Sequence, residues 1–193
     1  MKNFPFKHDN ETLWYSRSIA CSMYFFVFNE KDKKWYVLMS ERGPGCPSAV
    51  GYWNVPGGYL DFDETLKQAA VRECHEETGF PMNGYDVKLA AISTNLNSKK
   101  QNVVCSFYTK TQTSDIDIFK SLLTTKYSES DEVTNIDFFP VDIFINGCSW
   151  LKVAFGHDKM IKEIFEKMIN IGPLRRWLLN LTYKLTKINV PIE

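Results

Sequence analysis

Two aromatic and β-branched runs, "SIACSMYFFVFN" (18 to 29) and "KWYVLMSE" (34 to 41), flank the polar tetrapeptide "EKDK". Apolar runs of strand length on either side of a short polar turn predict a β-hairpin. The next stretch, "RGPGCPSAVGYWNVPGG", is dense in glycine and proline and predicts loop, with at most a short strand around Trp53 to Val55. "DVKLAAIST" (86 to 94) and "NVVCSFYTK" (102 to 110) read as a second strand pair, and "VTNIDFFPV" (133 to 141) as a further strand. Between the later strands, "TQTSDIDIFKSLLTTKYSESDE" is polar, with a helical turn expected near Ile118 to Leu123. Toward the C-terminus Met160, Ile161, Ile164, Phe165 and Met168 recur at three- and four-residue spacing and predict a helix. After a Gly172-Pro173 break the pattern resumes in Leu174, Trp177, Leu178, Leu181 and Leu185.

One strong helix, expected over residues 62 to 78, interrupts the run of strands. Asp61 followed three residues later by Glu64 has capping-box spacing and sets the expected start, while Gly79 sets the stop. Strands before and after a single central helix, with helices closing the chain, predict a mixed α/β or α+β sandwich, an α-β-α arrangement in one domain.

The same helix carries the candidate chemistry. At about 100° per residue, with Leu66 at zero, Ala69 falls at about 300° and Ala70 at about 40°, while Glu73, Glu76 and Glu77 fall at about 340°, 280° and 20°. Lys67, Gln68, Val71, His75 and Arg72 lie on the opposite side. Three glutamates therefore continue the small apolar stripe that faces the rest of the protein. Partly desolvated like charges repel one another and require compensation, either by a salt-bridge cluster or by a cation. One arginine cannot balance three carboxylates, and the geometry favours a hard divalent cation such as Mg²⁺, which takes carboxylate and phosphate oxygens. Just upstream, "VPGGYLDFDE" brings a Gly-Gly turn to the helix start, where backbone can approach an anion or offer a carbonyl ligand.

Composition narrows the partners. The 193 residues are 44% hydrophobic and carry 23 basic against 23 acidic side chains, so there is no overall positive field for nucleic acid. No apolar run has the form of a signal peptide or a membrane span. Five cysteines (Cys21, Cys46, Cys74, Cys105, Cys148) stand at irregular spacings and read as reduced, mostly buried thiols in a cytoplasmic protein.

Gly58, five residues, Glu64, seven residues and then "RECHEETGF" resembles the Nudix box, Gly-x5-Glu-x7-Arg-Glu-U-x-Glu-Glu-x-Gly-U with U apolar. Gly58, Glu64, Arg72, Glu73, Glu76, Glu77 and Gly79 all match, with Cys74 and Phe80 in apolar slots. "GYWNVPGG" before the box, with "SESDEVTNIDFFPVDI" and "KVAFGHDKMIKEI" after it, look like flanking Nudix segments, so the resemblance covers roughly residues 16 to 170. It implies the Nudix fold, a mixed sheet flanked by helices, and Mg²⁺- or Mn²⁺-dependent hydrolysis of a nucleoside diphosphate linked to a further moiety. Glu73, Glu76 and Glu77 are the implied metal ligands with the Gly57 carbonyl, and one glutamate serves the attacking water. Arg72 is expected to orient a glutamate, and Glu64, at about 160° on the same wheel, to assist the helix cap. Glu132 in "SESDEV" is the candidate for a further base or ligand, with Glu129 and Asp131 beside it. Arg17, Arg42, Trp53 and Tyr59 are candidates for contact with phosphate or base. His75 points away from the glutamates, and His8 and His157 have no evident triad partner.

Residues 95 to 98 read "NLNS" and lack the markers of individual Nudix subfamilies, as does the loop before the box. A nucleotide sugar or ADP-ribose is favoured over a nucleoside triphosphate. The competing class is a non-catalytic nucleotide-binding regulatory domain, against which the full glutamate set argues. The amphipathic tail, about 172 to 188, is expected to pack on the core or form a dimer contact rather than lie on a membrane.

Overall fold

The computed structural model describes residues 4–8, 11–15, 18–94, 103–128, 131–147 and 149–169. A hairpin of β1 (Phe4–His8) and β2 (Glu11–Tyr15) forms a sheet of its own, an element the apolar pattern did not predict. The main sheet has seven strands: β3 (Ile19–Asn29), β4 (Lys34–Arg42), β5 (Trp53–Asn54), β6 (Gly57–Tyr59), β7 (Lys88–Thr94), β8 (Val103–Thr113) and β9 (Val133–Pro140). The strands run in the order β5-β4-β3-β8-β7, with β6 also on β3 and β9 on β4. Among the named strands only β3 and β8 pair in parallel, in unbroken register from Ile19 with Val103 to Asn29 with Thr113. The 18-to-29 and 34-to-41 hairpin forms as expected, and the later strands lie where the apolar runs place them.

β3 reads as a continuous apolar run because both of its faces are covered. Met23, Phe25 and Val27 pack toward α1 (Leu66–Thr78), while Tyr24 and Phe26 pack toward α4 (His157–Met168), whose Ile161, Ile164 and Phe165 are buried. The result is the anticipated three-layer sandwich, with two short helices, α2 (Ile116–Lys120) and α3 (Asp142–Asn146), at its margin. α2 is the helical turn expected in the polar segment, whereas α3 was not foreseen.

The fork between β3 and β4 positions the site. These strands pair only over Phe26–Asn29 and Lys34–Val37. Beyond that point β3 turns its edge to β6, and β4 turns the same edge to β5. The intervening chain crosses the gap, with the Met23 N–H donating to the Pro56 carbonyl at 2.9 Å.

The start of α1 differs from expectation. The N-cap is Thr65, not Asp61: its hydroxyl accepts from the Gln68 N–H, and the Gln68 side chain accepts from the Thr65 N–H at 2.9 Å. "TLKQ" is itself a capping box, and its competitor in the sequence, Asp61 with Glu64, closes a turn before the helix, where the Asp61 N–H donates to Glu64 Oε1 at 3.0 Å. Gly79 ends the helix as expected, in the left-handed conformation.

Candidate active site

Arg72 is the hub of the glutamate cluster. Its Nε donates to Glu64 Oε2 at 3.0 Å and its Nη2 to Glu64 Oε1 at 2.7 Å, a two-point grip. Nη1 donates to Glu73 Oε1 at 2.9 Å and to Glu76 Oε2 at 2.8 Å. Nη2 also reaches the Tyr59 carbonyl at 3.0 Å, which ties the helix to β6. The helical wheel put Arg72 on the far side, but a wheel locates only the root of a long side chain. Glu64 lies outside the helix, so its wheel angle has no meaning there. Its carboxyl is held below the ordinary range by the Arg72 hydrogen bonds.

Glu77 occupies the fork between β3 and β4. The Gly57 N–H donates to its Oε1 at 3.1 Å and the Ser40 hydroxyl to its Oε2 at 2.6 Å. The residue keeps some exposed surface, but its carboxyl end is enclosed, and burial pushes that group up to about 7 against the opposing pull of these two donors. Glu73 is likewise raised, first by desolvation, with the neighbouring Arg72 charge working the other way. Glu76 is the most open of the three, with 44% of its side-chain surface exposed.

Backbone approach makes both glycines of the turn specific. A Cβ on Gly58 would stand 2.6 Å from the Glu73 carboxyl carbon, so that carboxylate packs directly on the glycine. A Cβ on Gly57 would stand 2.8 Å from the Ser22 Cα, against the backbone of β3.

Among the described residues no three acidic, histidine or cysteine side chains converge on one point, Glu73 and Glu76 being drawn to Arg72 and Glu77 to Ser40 and Gly57. The donor chemistry still fits a hard divalent cation. Glu64, Glu73, Glu76 and Glu77 set four carboxylates against the charges of Arg72 and Arg42, and the second oxygens of Glu73 and Glu76 are left over from the Arg72 grip. Oxygen-only ligands with excess buried negative charge are the surroundings that Mg²⁺ or Mn²⁺ takes.

The remaining predicted residues divide. Arg42, at the end of β4, is fixed by a hydrogen bond from Nε to the Ser48 carbonyl at 3.0 Å, and its charge favours the ionised form of Glu77. Tyr59 stands half-exposed at the end of β6, its carbonyl held by Arg72. Trp53 packs edge-to-face on Phe139 with ring centroids 4.7 Å apart, inside the α4-side core. Glu132 is exposed on a turn docked to the loop after β4, its carbonyl accepting from the Gly43 N–H at 2.7 Å and the Cys46 thiol at 3.2 Å. Arg17, Glu129, residues 95 to 98 and the tail from 170 onward lie outside the described residues. His75 stacks on Tyr127 at 4.9 Å, away from the cluster, as its wheel position implied.

Two partners escaped the sequence reading. Ser40 is a buried polar residue at the end of the apolar run of β4, a weak signal that becomes meaningful only with Glu77 opposite. His157, half-buried at the start of α4 with its ring turned inward, accepts the Val55 N–H on Nδ1 at 3.1 Å, and desolvation of the ring lowers it to about 4, leaving it neutral. It thereby fixes the chain leading into the Gly-Gly turn.

Residues 21–163 match the family model for the NUDIX domain. The chain is 25% identical over 136 residues to the ADP-ribose pyrophosphatase of Methanocaldococcus jannaschii, covering 69% of this chain and 67% of that one. The NUDIX domain of Shewanella oneidensis NrtR, solved with ADP ribose, superposes with a TM-score of 0.62 at 18% identity over 80% of this chain and 90% of the other. A MutT/nudix family protein from Enterococcus faecalis gives 0.64 at 17% identity, covering 86% and 68% respectively. The chain belongs to the NUDIX domain family.

Proposed function

We propose that the protein hydrolyses the diphosphate linkage of a nucleoside diphosphate derivative, of the ADP-ribose or nucleotide-sugar type rather than a nucleoside triphosphate, with Mg²⁺ or Mn²⁺. The observation that carries this reading is the concentration of partly buried carboxylates around Arg72 and in the β3/β4 fork, far in excess of the positive charge beside them. The substrate class rests on the M. jannaschii relative, an ADP-ribose pyrophosphatase, and on the ADP ribose held by the NrtR domain.

Glu73, Glu76, Glu77 and the Gly57 carbonyl are the groups that would hold the cation. When bound, it neutralises the diphosphate and makes a bound water acidic enough to attack phosphorus. Arg72 and Glu64 set the rotamers of Glu73 and Glu76, and Ser40 and the Gly57 N–H set that of Glu77. Water oxygen bonds to one phosphorus as the bridging P–O bond breaks. The water's proton passes to a carboxylate, one of the box glutamates or Glu132, and the leaving phosphate departs with the bridging oxygen. Arg42, Tyr59, Arg17 and Trp53 are the side chains assigned to the rest of the nucleotide.

The same reading takes residues 1–193 as one Nudix domain with a helical extension, its partner as a nucleotide-type small molecule and not nucleic acid, its location as cytoplasmic, and its amphipathic tail as packing on the core or forming a homodimer contact. Among the described residues no helix is long and apolar enough to cross a membrane.

A Mg²⁺-supplemented screen of ADP-ribose, nucleotide sugars, dinucleotides and nucleoside triphosphates, run beside Glu76→Gln and Glu77→Gln, tests the reading. Turnover of a diphosphate derivative, lost by about 10²- to 10⁴-fold in both variants, supports it. Tight nucleotide binding with no turnover by the unsubstituted protein would select the regulatory alternative instead.

A further inference from the structure

We propose that Phe155 is the platform on which the base of the nucleotide stacks, an assignment that rests on the functional reading above and adds to it the residue that recognises the base. Phe155 is 62% exposed, which by itself is unremarkable for a single aromatic residue. Its backbone is the informative part. The residue has φ 59, in the left-handed region that a bulky side chain seldom enters, and Gly156 follows at φ 74. Strain of this kind persists where surrounding structure over-determines the conformation, and it gathers at functional sites.

Here the surroundings do over-determine it. On one side the Ala154 N–H donates to the Trp53 carbonyl at 2.8 Å, and the Trp53 N–H donates to the Lys152 carbonyl at 2.8 Å. On the other, the His157 N–H donates to the Ala154 carbonyl at 3.1 Å and the Met160 N–H to the Gly156 carbonyl at 3.2 Å. The loop is thus clamped to β5 and to α4, and the ring between the clamps is presented to solvent. Phe62, the other highly exposed phenylalanine among the described residues, has no such backbone conformation.

The ring also has a direction relative to the chemistry. The Arg42 guanidinium lies 4.9 Å from its centroid, and two residues before Arg42 on β4 the Ser40 hydroxyl donates to Glu77. The His157 ring meets Phe155 edge-on at 5.8 Å, and His157 holds Val55, two residues before Gly57. Phe155, Arg42 and the Glu77 fork are therefore successive neighbours: an aromatic face, a cation for phosphate, and the carboxylates. That order matches a base, its phosphates and the bond to be cut. An exposed, rigid aromatic ring backed by a guanidinium stacks a base of any identity.

The test is calorimetric titration of AMP and, separately, of inorganic pyrophosphate into the full-length protein and its Phe155→Ala and Phe155→Trp variants, with Mg²⁺ present. Phe155→Ala is expected to bind AMP about 5- to 100-fold more weakly and pyrophosphate as before, with Phe155→Trp restoring AMP binding. Unchanged AMP affinity in Phe155→Ala overturns the proposal, and so does an equal loss for both ligands, which would indicate a distorted site. If the unsubstituted protein binds neither ligand and turns over no nucleotide, the functional reading falls and the platform with it. Turnover with an unaffected Phe155→Ala variant would leave that reading standing and remove the platform alone.

Discussion

Arg72 grips Glu64 with two parallel hydrogen bonds, of 3.0 Å from Nε and 2.7 Å from Nη2, and spends its remaining nitrogen on Glu73 and Glu76. The fork geometry is what fixes the plane of the guanidinium, and so the direction from which Nη1 meets both glutamates. Lysine keeps the charge but cannot make the fork. Arg72→Lys is expected to lower turnover by about 10- to 100-fold, the usual cost of losing a group that orients metal-site ligands. Glu64→Gln should lower it too, and the double variant should lose less than the sum, with a coupling of about 0.5–3 kcal/mol. Strictly additive losses in a double-mutant cycle would mean that Glu64 acts independently of Arg72.

The two turn glycines should fail in different ways. In Gly58→Ala the obstructing atoms are the end of the Glu73 side chain, which can swing aside. Urea unfolding should then show less than about 1 kcal/mol of destabilisation, alongside a turnover loss of about 10-fold or more. In Gly57→Ala the obstruction is β3 backbone, which cannot move without breaking the β3–β6 pairing, so stability should fall by about 1–3 kcal/mol. Equal stability of the two variants would contradict this assignment of the contacts.

Capping separates the two candidate starts of α1. Thr65→Ala removes the observed cap and should cost about 1 kcal/mol. Asp61→Ala, at the start that the sequence favoured, should change stability by no more than about 0.5 kcal/mol, since its side chain makes only a 3.6 Å ion pair with Arg72. Thermal or urea unfolding of the two variants decides the matter, and a larger loss for Asp61→Ala would restore the earlier start.

His157 should write itself into the acid limb of the stability curve. Its unfolded imidazole takes up a proton below about 6.5, while the native one does so only below about 4, because the ring is buried and Arg42 faces it, against a weaker opposing pull from Asp158. The lowered native value means that its contribution is complete above pH 6.5 and is lost as pH falls from there toward 4. The full difference is on the order of 3 kcal/mol. His157→Gln removes this titration while offering an oxygen to the Val55 N–H, so its stability should fall less steeply over that window. Parallel acid limbs for the two proteins in urea titrations would reject the burial of a neutral His157.

Legibility in the sequence followed the range of the interaction. The box was readable because its members lie within one helix and the turn before it, where 3.6-residue periodicity and fixed spacing carry the geometry. The strands were readable because the two faces of β3 are both covered, which turns an alternating pattern into one unbroken apolar run. Even locally, competition misled: "DFDE" and "TLKQ" both offer capping spacing, and Thr65 with Gln68 prevailed.

The closed fold added meetings between residues far apart in the chain. Ser40 reaches Glu77 because β4 parts from β3 beside α1, and His157 reaches Val55 because α4 packs across the opposite face. Arg42 finds Phe155 only when the loop before α4 is clamped to β5. Such contacts leave no periodic trace, since each residue at its own position satisfies only ordinary local rules. Short-range spacing within "RECHEETGF" therefore carried the candidate chemistry. The enclosure that raises Glu77, the grip of Arg72 on Glu64 and the aromatic face beside Arg42 were set by how the layers close, because burial is a property of the packed whole and not of any segment.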